Sequence, residues 1–545
     1  MSCSGNTGFP DGSRKVHQGI ARFYSTDEGE SWSDPTYIQD EVYALFDESV
    51  RGPIRSMFIG SGKIHQSRYT KVGDYYRLYC SALVKDVDGV NCNYVLYSDD
   101  FGGTWSVLGD IDTPPIPSGA DEPKAEELPD GSIVCSSRMN GGRFYNIFTF
   151  TDADKAQGSW GAVATSNASN GGVVAQNNSC NGEILIVPAT RKADGRLVYM
   201  ALQSVPFGSG RTNVGIFYKE LAGPDDFSTP ANLAKQWDGS HQSSFLGSAY
   251  STMIMQADGR LGFLYEESTH GADYTIVYKN YSLEDITDGA YAFNLDANRY
   301  EFISTYIDSK VKSFYQSSAR IVGLPDPDRK DEVNAAVDAF KSNPCQETYD
   351  AIFALIGQTT ITIEPENCWY AIRNHGRGKY YMKNLSSKMT ATASLIKSSA
   401  TQHYRFFPVA SAPGCYYIQS AQNFSFIVPT AGNSNQLTFT RDSLEAGIYA
   451  IESDVLGRSL IICQNPTGAN SCLFLNEAAN KVLPGPVCDA SRWYIEATDY
   501  VPTGIEVIRS DEPGTTIYDL QGRPVTTDTP VPGIYIRGGE KILIQ

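Results

Sequence analysis

A carboxylate and a guanidinium flank one short hairpin in the first third of the chain. Residues 121–131 read DEPKAEELPDG, and the apolar strand that follows, residues 132–138, ends in Arg138. Pro-Asp-Gly is a turn by its own chemistry, because proline presets φ and glycine accepts a positive φ. The chain reversal brings the start of one strand beside the end of the next, so Glu122 and Arg138 are predicted to face one pocket. The alternative is that Arg138 is an ordinary surface arginine at a strand end.

Two later loops carry further candidate groups. Residues 206–214 read PFGSGRTNV, which places Arg211 in a glycine-rich loop before an apolar strand. Residues 247–251 read GSAYS, and the hairpin that they open returns through an Asp-Gly-Arg turn to Glu266. A phenol has a pKa of about 10, so Tyr250 would act as a nucleophile at neutral pH only beside a base. Most of the 33 tyrosines are expected to pack or to hydrogen-bond instead.

A recurring polar motif is predicted to be structural. Residues 25–32 read STDEGESW and residues 98–105 read SDDFGGTW, with a degenerate third copy over residues 149–160. The aspartate is expected to bond backbone amides across the turn, the glycine to take a positive φ, and the tryptophan to pack under the loop. Asp27 and Asp100 are therefore expected to hold hairpins and to take no part in catalysis.

The first part of the chain has the pattern of a repeated β fold. Residues 1–300 read as short alternating strands broken by Gly, Asp and Asn turns. Such strands together with a recurring hairpin motif are typical of propeller blades. Residues 301–362 change to a helical period, with Val333, Val337 and Phe340 on one face. This segment is predicted to be a helical connector.

The rest of the chain returns to strands. Within residues 363–498 the isoleucines 372, 418 and 451 are 46 and 33 positions apart, near the forty-residue repeat of a β-trefoil. The segment is interpreted as a β-trefoil-like module that could bind carbohydrate, with a β-sandwich as the alternative. The tail, residues 499–545, resembles the C-terminal sorting domains of secreted Bacteroidetes proteins.

The segments around these polar residues resemble those of the bacterial exo-α-sialidase (neuraminidase) family with Asp-box (BNR) repeats. The resemblance implies a mainly β chain whose residues 1–300 form a six-bladed β-propeller. It implies Tyr250 as the nucleophile and Glu122 as its base. It also implies Arg138 and Arg211 as the arginines that bind the substrate carboxylate.

The chemistry of sialic acid explains these residue types. Sialic acid carries a carboxylate beside its anomeric carbon, so a carboxylate nucleophile would meet like-charge repulsion. A neutral tyrosine avoids that repulsion, and a nearby glutamate can accept its proton. Arginine suits the substrate carboxylate because its planar fork stays charged and bonds a planar anion bidentately.

Two family positions belong to the first blade. The acid/base aspartate of the family lies in a loop before the first hairpin motif, and Asp11 is the one carboxylate available there. The family's first arginine lies upstream in an Arg-Ile-Pro segment, which this sequence lacks. Glu266 matches the glutamate that holds this arginine, so we expect an N-terminally incomplete first blade and a Glu266 without its partner. Arg14, Arg22 and Arg51 are the arginines that could take its place.

Composition limits the partners. A net charge of −18 argues against nucleic acid or an anionic membrane surface as a partner. No run of 18 apolar residues predicts a membrane span. The 11 cysteines form no CxxC pair, and no metal or other cofactor is implied.

The predicted activity is hydrolysis of terminal α-linked sialic acid with retention through a tyrosyl intermediate. The substrates implied are sialylated glycoproteins, glycolipids or oligosaccharides, and the location implied is secreted, periplasmic or cell-surface, although no signal peptide is recognised in the chain. One alternative is a trans-sialidase. The other is a sialoglycan-binding protein that is inactive because the first arginine is missing.

Overall fold

The structure is a computed structural model. It describes residues 2–4, 9, 12–13, 19–269, 271–364, 368–376, 380–429, 437–454, 456–465, 471–502, 506–507, 525, 533–537 and 540–544. Asp11, Arg14 and most of the tail therefore lie outside the described residues. The chain divides into two compact units, Met1–Asp308 with Asn343–Gln346, and Ser309–Ser342 with Glu347–Gln545.

In the described part of the first unit, strands pair into five antiparallel sheets. The first contains β1 (Ser2–Ser4), β2 (Gly19–Arg22) and β3 (Thr36–Tyr37). The second contains β4 (Ser56–Ile59), β5 (His65–Val72), β6 (Tyr75–Lys85), β7 (Asn91–Ser98) and β8 (Ser106–Val107). The third contains β9 (Pro123–Glu127), β10 (Ile133–Met139), β11 (Gly142–Asp152), β12 (Gln157–Trp160) and β13 (Ala164–Ser166).

The last two sheets follow in chain order, apart from one returning strand. The fourth contains β14 (Ile184–Arg191), β15 (Arg196–Gly208), β16 (Thr212–Leu221), β17 (Gly239–Gln242) and the returning β21 (Tyr291–Phe293). The fifth contains β18 (Ser248–Met255), β19 (Leu261–Thr269) and β20 (Ala272–Tyr281). Three short helices connect strands, α1 (Gln39–Ala44), α2 (Pro230–Ala234) and α3 (Leu283–Ile286). Two more follow β21, namely α4 (Arg299–Ser304) and α5 (Ile307–Lys312), which ends in the second unit.

The sheets from β4 to β20 form a propeller-like arrangement of four blades. The predicted mainly β fold is confirmed, whereas the expectation of six blades is not. Apolar side chains between neighbouring sheets form the core. Val187, Leu202, Ile216, Met253 and Phe263, for example, pack in one cluster between the fourth and fifth sheets.

The hairpin between β9 and β10 forms where the Pro-Asp-Gly turn predicts it. Gly131 has a φ of 92° and its N–H bonds the Leu128 carbonyl at 2.9 Å. The antiparallel register pairs Pro123 with Ser137, so residues 122 and 138 are neighbours across the ladder. The Arg138 N–H donates to the Glu122 carbonyl at 3.3 Å.

The recurring Ser-x-Asp hairpin lies at the other end of its blade. The Asn93 side chain, near the start of β7, donates to the Asp121 carbonyl at 2.8 Å. The hairpin begins five residues later at Ser98, at the far end of β7. The strand direction therefore puts this hairpin at the end of its blade away from Asp121.

The second unit begins with helices and continues with strands. The helices are α6 (Lys330–Ser342) and α7 (Gln346–Thr359), the second of which begins in the first unit. Val333, Val337 and Phe340 are buried on one face of α6, as the helical period predicts. No helix among the described residues is long and apolar enough to cross a membrane.

The described strands of the second unit pair mainly into one sheet. Twelve strands belong to it: β22 (Trp369–Asn374), β23 (Tyr381–Asn384), β24 (Met389–Thr392), β25 (Tyr404–Pro408), β26 (Cys415–Ser420), β27 (Ser425–Pro429), β28 (Leu437–Thr440), β29 (Ile448–Ser453), β30 (Ser459–Asn465), β31 (Cys472–Asn476), β32 (Lys481–Gly485) and β33 (Arg492–Thr498). A separate small sheet contains β34 (Glu506–Val507), β35 (Gly533–Arg537) and β36 (Glu540–Ile544).

The three isoleucines that suggested a repeat share one core. Ile372 and Ile418 are fully buried in it, and Ile451 packs against it partly buried. Sharing a core does not distinguish a three-lobed repeat from another β arrangement. The expected trefoil is not confirmed.

Candidate active site

The phenol of Tyr250 and the carboxylate of Glu122 are in direct contact. Tyr250 lies near the start of β18 and Glu122 immediately before β9, 128 positions apart in the sequence. The Tyr250 hydroxyl donates to Oε1 of Glu122. Glu122 is 8% exposed, so the contact is largely shielded from water. The structure thus brings together a potential nucleophile and a potential base.

Arg138 joins this pair from the neighbouring strand. Its Nη1 donates to Oε2 of Glu122 at 2.8 Å and lies 3.5 Å from the Tyr250 hydroxyl. Its Nε donates to the Ser179 hydroxyl at 2.9 Å and lies 3.2 Å from Oδ2 of Asp121. The two oxygens of Glu122 therefore have different partners, the phenol and the guanidinium.

Electrostatics favour a neutral phenol in the absence of substrate. Burial and the hydrogen bond to Glu122 raise the pKa of Tyr250, while the positive charge of Arg138 opposes the shift. Burial also raises the pKa of Asp121, against the opposing charge of Arg138. A neutral tyrosine with a carboxylate acceptor can release its proton as it forms a bond, which is the arrangement that nucleophilic catalysis requires.

Arg211 lies over the Tyr250 ring. Its guanidinium carbon is 6.0 Å from the ring centroid. Arg211 has a φ of 62°, and its carbonyl accepts the Ser248 N–H at 2.8 Å. This bond ties the loop that carries Arg211 to the start of the strand that carries Tyr250.

Glu266 satisfies a backbone group of Tyr250. The pairing of β18 with β19 shifts register between Ser248 and Ser251. Such an irregularity leaves an N–H without its ladder partner, and Oε2 of Glu266 accepts the Tyr250 N–H at 3.0 Å. Among the described residues no cation lies within 4.0 Å of the Glu266 carboxylate.

The candidate replacement arginines that are described are engaged elsewhere. Arg22 donates to the Gly102 carbonyl at 2.6 Å, and Arg51 pairs with Asp86 at 2.5 Å. Arg14 lies outside the described residues, and so does Asp11, for which the acid/base role stays a prediction.

A buried polar set beneath the site was missed by the sequence analysis. Lys124 is 2% exposed and Glu183 is fully buried, and neither Nζ of Lys124 nor Oε1 of Glu183 has a hydrogen-bond partner in the described part of the chain. Oε2 of Glu183 accepts from the Thr252 hydroxyl at 2.9 Å. Burial lowers the pKa of Lys124, and the charge of Glu183 opposes that shift.

One signal could have revealed part of this set. Side chains alternate along a strand, so residues 122, 124 and 126 of the DEPKAEE segment share a face. Thr252 lies two positions after Tyr250 on β18, so these two side chains also share a face. Nothing in the sequence places Glu183 beside them, because it immediately precedes β14, a strand of another sheet.

The arrangement holds a phenol, a base and two guanidinium groups within one site. It can place a nucleophilic oxygen next to an anionic substrate. Among the described residues no group of three or more His, Cys, Asp or Glu side chains could hold a metal ion.

No protein-family model and no curated protein sequence matches the chain. Solved structures do match it. An intramolecular trans-sialidase from Ruminococcus gnavus is 21% identical with a TM-score of 0.37, and the match covers 50% of this chain and 52% of that one. The Hadza microbial sialidase Hz136 is 21% identical with a TM-score of 0.36, covering 48% of this chain and 44% of that one. A Trypanosoma rangeli sialidase is 12% identical with a TM-score of 0.33, covering 89% of this chain and 73% of that one. The matched stretch thus spans about half the length of the first two proteins.

Proposed function

We propose that this chain is an exo-α-sialidase that hydrolyses terminal α-linked sialic acid with retention of configuration. The observation that carries the proposal is the contact between the Tyr250 hydroxyl and the Glu122 carboxylate, with Arg138 bonded to the same carboxylate. A tyrosine paired with a glutamate suits a substrate whose own carboxylate would repel an anionic nucleophile.

The mechanism assigns one role to each group. Arg138 and Arg211 bind the substrate carboxylate. The Tyr250 oxygen attacks the anomeric carbon as its proton passes to Glu122, and the bond to the aglycone oxygen breaks. Asp11 would protonate the departing oxygen, which leaves a covalent intermediate in which the anomeric carbon of sialic acid is bonded to the Tyr250 oxygen. Water, deprotonated by the same aspartate, then displaces the tyrosine, and Glu122 returns the proton.

The substrates proposed are sialylated glycoproteins, glycolipids or oligosaccharides, and the proposed location is outside the cytoplasm. Exclusion of nucleic acid as a partner rests on the net charge of −18. Transfer of sialic acid to an acceptor other than water would use the same intermediate.

The test is Tyr250→Phe, assayed by the release of sialic acid from a chromogenic sialoside. Loss of the nucleophilic oxygen should lower kcat by at least about 10²-fold while the fold is kept, because covalent catalysis supplies that much or more. Tyr278→Phe is the matched control, since Tyr278 is 52% exposed on β20 and should leave the rate unchanged. A Tyr250→Phe protein with the full retaining rate would overturn the assignment.

A second candidate function is sialoglycan binding without turnover. Glu266 favours it, because a carboxylate with no described cation beside it opposes binding of the transition state's carboxylate. In that case the unmodified chain would release no chromophore, yet it would bind sialyllactose in calorimetry, and Arg138→Leu would abolish that binding.

A further inference from the structure

A cavity opens at the end of β18 away from Tyr250. It has a volume of about 840 Å³ and is lined by residues from β5, β6, β14, β15 and β18 together with the segment from Leu295 to Tyr300. Met255, at the end of β18, belongs to its wall. Met255 lies five positions after Tyr250 along β18, which is roughly 16 Å. The cavity is therefore distinct from the candidate active site.

The wall of this cavity has more basic than acidic side chains, although the whole chain has a net charge of −18. Arg68, Lys71 and Arg299 line it, against the single carboxylate of Asp154. The charge of Arg68 is already balanced, because its Nη2 bonds Glu126 at 2.8 Å and its Nε lies 3.7 Å from Glu127. Lys71 and Arg299 have no carboxylate of a described residue within 4.0 Å.

Arg299 is held by aromatic rings. Its guanidinium carbon lies 3.8 Å from the ring centroid of Tyr69 and 4.9 Å from that of Tyr300. Its Nε and Nη1 are buried and have no hydrogen-bond partner in the described structure. Stacking fixes the position of the cation and leaves its charge unpaired at the cavity wall.

The remaining wall suits a ring with hydroxyl groups. Tyr69, Tyr76, Tyr199 and Tyr300 all line the cavity, and Tyr76 is 43% exposed. Tyrosine offers an apolar face together with a hydroxyl that donates and accepts. The exposed amide of Gln346 adds a donor and an acceptor. A cavity of this size accommodates a mono- or disaccharide, whereas a free inorganic anion would leave most of it empty.

From this combination we infer that the cavity binds an acidic carbohydrate, with the carboxylate or sulfate of the sugar near Lys71 and Arg299 and its ring against the tyrosines. This site is separate from the proposed hydrolysis of sialosides. The two functions can therefore fail independently.

Calorimetry of the full chain with two probes tests the inference. Methyl β-glucuronide and methyl β-glucoside share a ring and differ in the carboxylate, so the glucuronide should bind at least tenfold more tightly. Lys71→Met and Arg299→Leu should each weaken glucuronide binding at least tenfold. Lys279→Met, an exposed lysine on β20, is the matched control and should leave the affinity unchanged.

Other results would overturn the inference. These are equal affinity for the two glycosides, unchanged glucuronide binding in both the Lys71→Met and the Arg299→Leu proteins, or displacement of the glucuronide by inorganic phosphate of equal or tighter affinity, which would indicate a small-anion site. Lys71 occupies an exposed position of β5, so the Lys71→Met protein still tests the inference if Arg299→Leu fails to fold. Tyr250→Phe should still bind the glucuronide, whether or not the chain hydrolyses sialosides.

Discussion

At the scale of single residues, one carboxylate in the candidate active site has no cation within 4.0 Å among the residues that the structure describes. Glu122 is shared by the Tyr250 phenol and the Arg138 guanidinium. Glu266 instead accepts the backbone N–H of Tyr250 at 3.0 Å. A neutral acceptor could make the same bond. The negative charge of Glu266 therefore has no structural use that the described residues reveal, and it opposes an anionic substrate.

We predict that Glu266→Gln strengthens binding of a sialoside. Glutamine keeps an oxygen for the Tyr250 N–H and removes a like charge near the substrate carboxylate, so KM should fall about three- to tenfold. The measurement is KM for a chromogenic sialoside, together with the inhibition constant of free sialic acid. Glu267→Gln is the control, because the next residue of β19 points to the other face of the sheet. An unchanged or raised KM in Glu266→Gln would show that a cation pairs with this carboxylate.

Local sequence pattern identified the residues that a short hairpin brings together, the family resemblance added Tyr250 and Arg211 from other sheets, and neither identified Ser179, Lys124 or Glu183. Glu122 and Arg138 are joined by a turn whose chemistry can be read directly. The Ser179 hydroxyl, which binds Arg138 at 2.9 Å, arrives from a different part of the chain. Lys124 and Glu183 are close enough to interact electrostatically only because two blades are adjacent. Contacts of that kind depend on the packing of whole sheets, which local periodicity does not encode.

At the scale of elements, the Ser-x-Asp hairpins show how a small motif closes a blade. The Asp100 carboxylate accepts the Thr104 N–H at 2.8 Å and the hydroxyls of Thr104 and Ser98, both at 2.7 Å. Gly102 has a φ of 83°, which a side chain would strain. Asp27 makes the same kinds of bonds in the earlier copy. The structural role predicted for these aspartates fits this geometry.

Asp100→Ala is expected to lower the free energy of unfolding by about 1–2 kcal/mol, since it removes several partly exposed hydrogen bonds. It should leave kcat/KM unchanged. The measurement is urea unfolding beside the sialoside assay, with Asp74→Ala, in the exposed turn between β5 and β6, as the control. A loss of activity without a loss of stability would contradict the structural role.

The same bonds give this contribution a pH dependence. Burial alone would raise the pKa of Asp100, but the bonds from Thr104 outweigh it, so the net shift is downward. A carboxyl group whose pKa is lower in the folded state stabilises the fold above its unfolded pKa, about 3.9, and loses that effect as the pH falls through the folded value. The difference in stability between the wild-type and Asp100→Ala proteins should therefore shrink at acidic pH.

Elements differ in how far sequence predicts them. The helical period places Val333, Val337 and Phe340 on the buried face of α6, because a single helix needs only its own period to show which side is apolar. The spacing of Ile372, Ile418 and Ile451 identified residues that share a core. Spacing alone does not say which strands pair, because pairing of this kind is set by contacts between distant segments.

At the scale of the whole molecule, both units bury groups that must stay uncharged. Tyr145 and Cys135 are buried in the first unit, and Tyr404, Tyr449 and Cys463 in the second. Burial raises the pKa of each of the three tyrosines. It raises the pKa of the Cys135 thiol to about 12 and that of the Cys463 thiol to about 12. The net charge of −18 does not predict which titratable side chains are buried, because it counts charges without their positions.

These buried groups predict a loss of stability at alkaline pH. A group whose pKa is higher in the folded state stabilises the fold fully below its unfolded pKa, and that effect is lost as the pH rises toward the folded value. Unfolded thiols titrate near pH 8.5 and unfolded tyrosines near pH 10, so urea midpoints should be level up to about pH 8 and fall above it. Each buried thiol adds up to about 1.4 kcal/mol per pH unit to the slope of the unfolding free energy against pH. Under reducing conditions, Cys135→Ala should therefore flatten this slope by up to that amount for the first unit. Cys488→Ala, at an exposed position, is the control and should leave the slope as it is. If the slope of Cys135→Ala between about pH 8.5 and 10.5 matched that of the control, the Cys135 thiol would have to ionise within the folded protein as readily as in the unfolded chain.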